Sequence, residues 1–364
     1  MIHAPGPVRL RAVLDDLPTY VPGGAATGAG PGAATACKVS SNENPYPPLP
    51  SVLGAVREAA TTMNRYPDMA VAQASEVLAA HLGVPVARIV TGPGSVGVLQ
   101  GILAAACEPG DEVIFAWRSF EAYPILTRLT GAHPVQVPLT AEARHDLPAM
   151  RAAVTDATKV VLVCTPNNPT GPTVHHKELA TFLADLPGNV LVVLDEAYLE
   201  FVTATDAPDG LALHHAHPNV VLLRTFSKAF GLAGLRFGYA VAHEAIAGGL
   251  RATALPFGVN TLAQVAAIAS LGAQEELHVR VKELVAERER VTSALAEQGF
   301  QLPDSQGNFV WFGVGEATAE LAAACATAGL AVRAYRGDGV RATIAEPAAN
   351  DALLSVMDAW RRRG

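Results

Sequence analysis

The chain has 364 residues, 50% of them hydrophobic and 16% charged, with 34 acidic against 26 basic side chains and a net charge of -8. That composition excludes a disordered or fibrous chain, and the scattered basic residues give no general attraction to nucleic acid. No apolar run approaches the roughly 18 residues needed to span a bilayer, and no basic-then-apolar leader opens the chain. The expectation is a cytoplasmic protein of one large or two closely joined domains, without nucleic-acid or membrane partners.

Residues 1–41 read as an N-terminal arm, and within it 23–36 is almost wholly Gly, Ala, Pro and Thr, which suits a mobile loop rather than a core. From 88 to 224, short apolar runs alternate with helix-like stretches. Strands are expected at 88–91, 112–116, 159–164, 190–194 and 220–224, several of them β-branched without alternation, as strands covered on both faces are. The fold class is therefore α/β: a large domain with a mainly parallel sheet wrapped by helices.

A helix is expected at 274–298, with Leu277, Val281, Leu284, Val285, Val291 and Leu295 at helical spacing and Gly299 as its stop. It leads into a smaller α/β unit with strands at 309–312, 331–333 and 340–344 and a turn at Gly337-Asp338-Gly339. Trp311 and Phe312 read as core of that unit, and Arg361, Arg362 and Arg363 as a solvated helix end. The expected division is a large unit at 42–260, with 1–41 and 261–364 forming the arm and the small unit.

Cys37, Cys107, Cys164 and Cys325 lie far apart without a C-x-x-C pair, so no disulfide framework or zinc knuckle is expected. His214, His215 and His217 lack metal-site spacing and read as a surface loop; His175 and His176 open a helix without a further role. No metal is expected.

Polar segments follow the expected strands: GPGSVG from Gly92, WRSFEAY from Trp117, TPNNPTG from Thr165, DEAY from Asp195 and TFSKAFGLAGLR from Thr225. In open α/β sheets ligands bind at that edge. Gly92, Gly94 and Gly97 satisfy G-x-G-x-x-G, which keeps a nicotinamide enzyme in view. The place that should hold an acidic residue has Trp117 and Arg118, so only an NADP-dependent oxidoreductase is left of that alternative. The amides of Ser95 and Val96 at a helix start suit a single phosphate equally well. Pyridoxal 5′-phosphate needs a lysine, a carboxylate for its ring nitrogen, donors for its phenolic oxygen, and hydroxyls or cations for its phosphate. Lys228, Asp195, Asn168 with Tyr198, and Ser227 with Arg236 are residues of those types.

With these residues the chain resembles the fold-type I pyridoxal-phosphate aminotransferases, within them the histidinol-phosphate and aromatic amino acid aminotransferase family. The resemblance rests on SSNENPYP from Ser40, NRYP from Asn64, PNNPTG from Pro166, DEAYLEF from Asp195, RTFSKAFGLAGLRFGYA from Arg224 and VRATIAEP from Val340. GPGSVGVLQ, WRSFEAYP and SQGNFVWF are most similar to the actinobacterial aromatic amino acid branch.

The resemblance implies an aspartate aminotransferase-like fold and a ping-pong transfer between an aromatic amino acid and 2-oxoglutarate, or, as the alternative, from histidinol phosphate in histidine biosynthesis. Lys228 would hold the cofactor and move the proton, Phe120 would stack on its ring, and Asp195 would pair with the ring nitrogen. Asn168 and Tyr198 would bond the phenolic oxygen; Ser95, Val96, Thr225, Ser227 and Arg236 would hold the phosphate. Tyr66 would reach that phosphate from the neighbouring subunit of a homodimer. Arg341 would bind the substrate α-carboxylate beside Asn168, with Arg333 and Tyr20 near the substrate side chain.

Overall fold

The computed structural model describes residues 10–20, 24 and 37–362. The stretch 23–36 is outside the described residues apart from Gly24, and so is Arg363. Among the described residues, twelve strands follow along the chain. They are β1 (Cys37–Lys38), β2 (Ile89–Gly92), β3 (Glu112–Trp117), β4 (His133–Pro138), β5 (Thr158–Cys164), β6 (Leu191–Asp195), β7 (Val220–Thr225), β8 (Gly238–Val241), β9 (Phe309–Phe312), β10 (Leu330–Ala331), β11 (Arg333–Tyr335) and β12 (Gly339–Thr343).

Seven of them form one sheet in the order β2-β8-β7-β6-β5-β3-β4. All neighbours are parallel except β8, which runs antiparallel to both β2 and β7. The central strands β5, β6 and β7 carry continuous apolar runs that end in polar residues, because helices cover both faces of the sheet. Alternation then divides each strand between two cores: Val161, Val163, Val192, Leu194 and Leu222 face one, and Val160, Leu162, Val193, Val221 and Leu223 face the other. Each such side chain contributes about 1.5–3 kcal/mol on burial, which makes this slab the rigid base of the molecule. Parallel pairing brings the C-terminal ends of β3, β5, β6 and β7 to one edge.

The helix Gln274–Glu297 stands where the apolar periodicity places it. Beyond it, β11, β12 and β9 make an antiparallel sheet in that order, with Trp311 and Phe312 buried. The strand expected at 331–333 is in fact two. Leu330 and Ala331 pair with Cys37 and Lys38, whereas Arg333 starts the strand that pairs with β12, so the chain changes partners at Val332.

A second correction concerns His214, expected on a surface loop. It is fully buried in the helix Gly210–Ala216, its Nδ1 bonded to the Val220 carbonyl at 2.8 Å, which satisfies one polar end inside the core. Arg361 closes the last helix and donates to the Gly299 carbonyl at 2.7 Å, while Arg362 pairs with Asp358. No helix among the described residues is long and apolar enough to cross a membrane.

Candidate active site

The loop after β7 is built so that its polar residues cannot retreat into the core. Phe226 and Phe237 are buried with ring centroids 5.1 Å apart, and the Phe226 amide donates to the Phe237 carbonyl at 3.0 Å. Between these anchors, the Ser227 amide donates to Thr225 Oγ1 at 3.1 Å, and the two hydroxyl oxygens lie 3.0 Å apart. Arg236 adopts φ +62° and directs Nη1 to Ser227 Oγ at 3.3 Å.

Opposite lies the first turn of the helix Gly94–Ala106, with Ser95 and Val96. Two glycines permit this approach. Gly94 has φ +78°, and a Cβ there would collide with the Arg236 guanidinium; a Cβ on Gly238 would collide with the Ser95 nitrogen. A helix N-terminus, two hydroxyls and a guanidinium converge, a donor set that fits a phosphate dianion.

Lys228 and Asp195 line the same cleft. Lys228 Nζ donates to the carbonyls of Ser41 and Asn42 at 3.1 and 3.3 Å and lies 5.6 Å from the centre of the Tyr198 ring. Burial lowers its amine to about 7, helped by the positive charges of Arg341 and Arg236 and opposed by Glu43 and Asp195. Asp195, at the end of β6, is raised by burial to about 6, although the Tyr123 hydroxyl donates to its Oδ2 at 2.7 Å and the Ala197 amide to its Oδ1 at 3.3 Å. Tyr198 accepts from Asn42 Nδ2 at 3.0 Å, and burial holds its phenol well above the ordinary value. A carboxylate, an amine near neutrality and a phenol on three walls suit a charged aromatic ring bearing an aldehyde and a phenolic oxygen, so the residues fit pyridoxal phosphate.

Arg341, on β12, is 5% exposed; it donates to Asn168 Oδ1 and to the Ser40 carbonyl, the latter at 2.6 Å. Its buried Nε has no hydrogen-bond partner, so one donor of the guanidinium is left unused. Phe120, Tyr20, Glu121, Arg333 and Tyr335 form the outer wall, with Tyr20 edge-on to Phe120 at 6.4 Å.

The cleft thus gathers every site residue expected from the sequence except Tyr66. That residue is 83% exposed and packs against Phe257 in a tilted arrangement, with centroids 4.7 Å apart. Arg118, the residue behind the nicotinamide alternative, pairs with Asp338 and lies 4.4 Å from the Trp117 ring centre.

Sequence reasoning missed Tyr123, Glu121, Tyr335 and the backbone of Ser41 and Asn42. Tyr123 carried a signal: it lies three residues after Phe120, at the start of the helix Ala122–Thr130. The others depend on long-range pairing that no local pattern reports.

The profile of the aminotransferase class I and II family matches residues 35–354. The aromatic amino acid aminotransferase of Streptomyces avermitilis is 55% identical over 354 residues, covering 97% of this chain and 98% of that one. Its counterpart in Thermobifida fusca is 52% identical over 357 residues, 98% of each chain. Among solved structures, histidinol-phosphate aminotransferase of Sinorhizobium meliloti in complex with pyridoxal 5′-phosphate superposes with a TM-score of 0.87 at 29% identity, over 99% of both chains. A Thermus thermophilus aspartate aminotransferase double mutant, 22% identical, shares the fold with a TM-score of 0.80 over 91% of this chain and 92% of that one. The chain belongs to the class I and II aminotransferases, enzymes that depend on pyridoxal phosphate.

Proposed function

We propose that the enzyme moves the amino group of an aromatic amino acid to 2-oxoglutarate in two half-reactions at this one cleft. The observation that carries the reading is the 55% identity, over nearly the whole chain, to an aromatic amino acid aminotransferase. An outer wall made of Tyr20, Phe120 and Tyr335 supports it. A second reading takes histidinol phosphate as donor, supported by Arg333 in the wall and by the likeness to the Sinorhizobium meliloti enzyme.

Bound pyridoxal phosphate supplies an aldehyde that condenses with amines and a protonated ring that accepts the electron pair released at the substrate Cα. The chain's residues do the rest. Ser95, Val96, Thr225, Ser227 and Arg236 hold the phosphate, and Phe120 covers the ring. Asp195 keeps the proton on the ring nitrogen, and Asn168 with Tyr198 bonds the phenolic oxygen. Arg341 fixes the substrate α-carboxylate and so orients Cα toward Lys228. Lys228 Nζ, its amine lowered to about 7 by burial, would hold the cofactor's aldehyde carbon and would take the substrate Cα proton as general base.

The proposal also includes a homodimer, with Tyr66 completing the phosphate site of the partner subunit. Met63, Tyr66, Met69, Leu255 and Phe257 are large apolar side chains left exposed, and Met69 and Leu255 line one groove. Residues 42–260 would form the large cofactor-binding unit, and 1–41 with 261–364 the arm and small unit.

The test is turnover of phenylalanine against histidinol phosphate, each with 2-oxoglutarate, together with borohydride trapping of the cofactor. Label on Lys228, loss of turnover in Lys228→Ala and preference for phenylalanine are expected. Retained turnover in Lys228→Ala would refute the assignment.

A further inference from the structure

β11 and β12 pair with Arg333 directly opposite Arg341, so two guanidiniums leave the same face of the small sheet as cross-strand neighbours. Both line the cleft. Like charges so placed repel each other unless each finds a partner. The two are answered differently. Arg341 meets neutral oxygens, those of Asn168 and Ser40, and forms no ion pair among the described residues.

Arg333 meets a carboxylate. Its Nη2 and Nε donate to Glu121 Oε2 at 2.5 and 3.2 Å, the carboxylate arriving from the segment after β3. The pair is largely withdrawn from water, with side chains 10% and 24% exposed, and the guanidinium carbon lies 5.2 Å from the Tyr335 ring centre. Of the two arginines of the small sheet, Arg341 therefore keeps its charge unanswered and Arg333 has its charge cancelled. That arrangement matches an amino donor with one anionic end and an uncharged ring at the other. A phosphate monoester in the outer wall carries about -1.5 to -2 charges and would have to displace Glu121 from Arg333 or lie beside it.

Resting on the aromatic reading above, we propose that Glu121 is a specificity-determining residue: by holding Arg333 it excludes donors whose side chain ends in a phosphate and leaves the wall to neutral aromatic rings. Selectivity then comes from a repulsive element as much as from aromatic contact.

Half-reactions of the holoenzyme with an amino donor alone, followed by cofactor absorbance, test this without interference from the acceptor's second carboxylate. In Glu121→Gln, the efficiency with histidinol phosphate relative to phenylalanine should rise about tenfold or more, since a fixed like charge is removed from a poorly solvated site. Inorganic phosphate should compete with phenylalanine at lower concentration in that variant than in the parent. Glu121→Ala should move the ratio in the same direction, and Glu121→Gln combined with Arg333→Gln should return it to the parent's value.

An unmoved ratio in a parent that prefers phenylalanine, or a gain that survives loss of Arg333, overturns this proposal alone. A parent that reacts with histidinol phosphate and not with phenylalanine overturns the aromatic reading beneath it.

Discussion

The Tyr123 hydroxyl donates to Asp195 Oδ2 at 2.7 Å, with both side chains buried at the base of the cleft. This bond stabilises the ionised carboxylate, and it is the second-largest influence on a group that burial alone would push higher than about 6.

Replacing Tyr123 by Phe should therefore raise Asp195 further. A hydrogen bond to a charged group is worth about 1.5–3 kcal/mol, so a rise of about one pH unit or more is expected. In the cofactor-free protein Asp195 stands above its unfolded value of 3.8, so it holds more protons folded than unfolded. The stability it contributes is present below pH 3.8 and is lost as pH rises through about 6. A protonated cofactor ring reverses the balance by favouring the carboxylate, so affinity for pyridoxal phosphate should fall as pH drops below about 6. In Tyr123→Phe that fall should begin at higher pH, and Asp195→Asn should lack this component altogether. Fluorescence titration of the three proteins between about pH 5 and 8 decides it; coincident curves for parent and Tyr123→Phe would mean that the bond does not tune Asp195.

The proposed phosphate cradle depends on the missing side chain at position 238. Since a Cβ there would collide with the Ser95 nitrogen and the Gly94 carbonyl carbon, Gly238→Ala must push the helix start away from Arg236. Both are backbone atoms, which cannot rotate aside. Overpacking of this kind costs about 1–3 kcal/mol, and affinity for pyridoxal phosphate should drop about tenfold or more. Affinity for pyridoxal, which lacks the phosphate, should change much less. Equal losses for both compounds would place the damage elsewhere.

The sheet was largely legible because its central strands are continuous apolar runs; the expected 112–116 and 220–224 each extend by one residue, as Glu112–Trp117 and Val220–Thr225. Two strands were hidden for different reasons. β4 carries Pro134 and Pro138, which argue against a strand, yet it lies at the sheet edge where proline is tolerated. β8 is four residues long, and its GYAV run directly follows a polar motif. Most cleft residues could be named because they follow strand ends in chain order. Their pairings could not: Glu121 and Arg333 are 212 positions apart, and their meeting depends on how the small sheet docks beside the end of β3.

Beneath the cleft, Arg224 Nε donates to Glu196 Oε2 at 2.8 Å, with side chains only 9% and 2% exposed. Glu196→Ala leaves a buried guanidinium without its carboxylate and should destabilise the fold by about 3–5 kcal/mol. Glu196→Gln keeps an acceptor and should cost less. The urea midpoint of the cofactor-free protein measures both, and a Glu196→Ala midpoint equal to the parent's would show that Arg224 finds another partner.

Arg341 and Tyr66 separate what one subunit supplies from what its partner would supply. On the role proposed for it, Arg341 serves its own cleft, and Arg341→Gln should lower kcat/KM for phenylalanine by about 100-fold, as loss of a buried charge-assisted contact does. Tyr66 lies outside that cleft, so its contribution should cross the subunit boundary. Lys228→Ala and Tyr66→Ala each damage a site, but a hybrid of the two places an intact Lys228 from one chain beside an intact Tyr66 from the other. Coexpressed, the inactive Lys228→Ala chain should therefore raise the activity and cofactor affinity of the Tyr66→Ala chain, to at most one restored site per hybrid dimer. If Tyr66 served only its own subunit, every site in the hybrid would carry a defect and no recovery would appear.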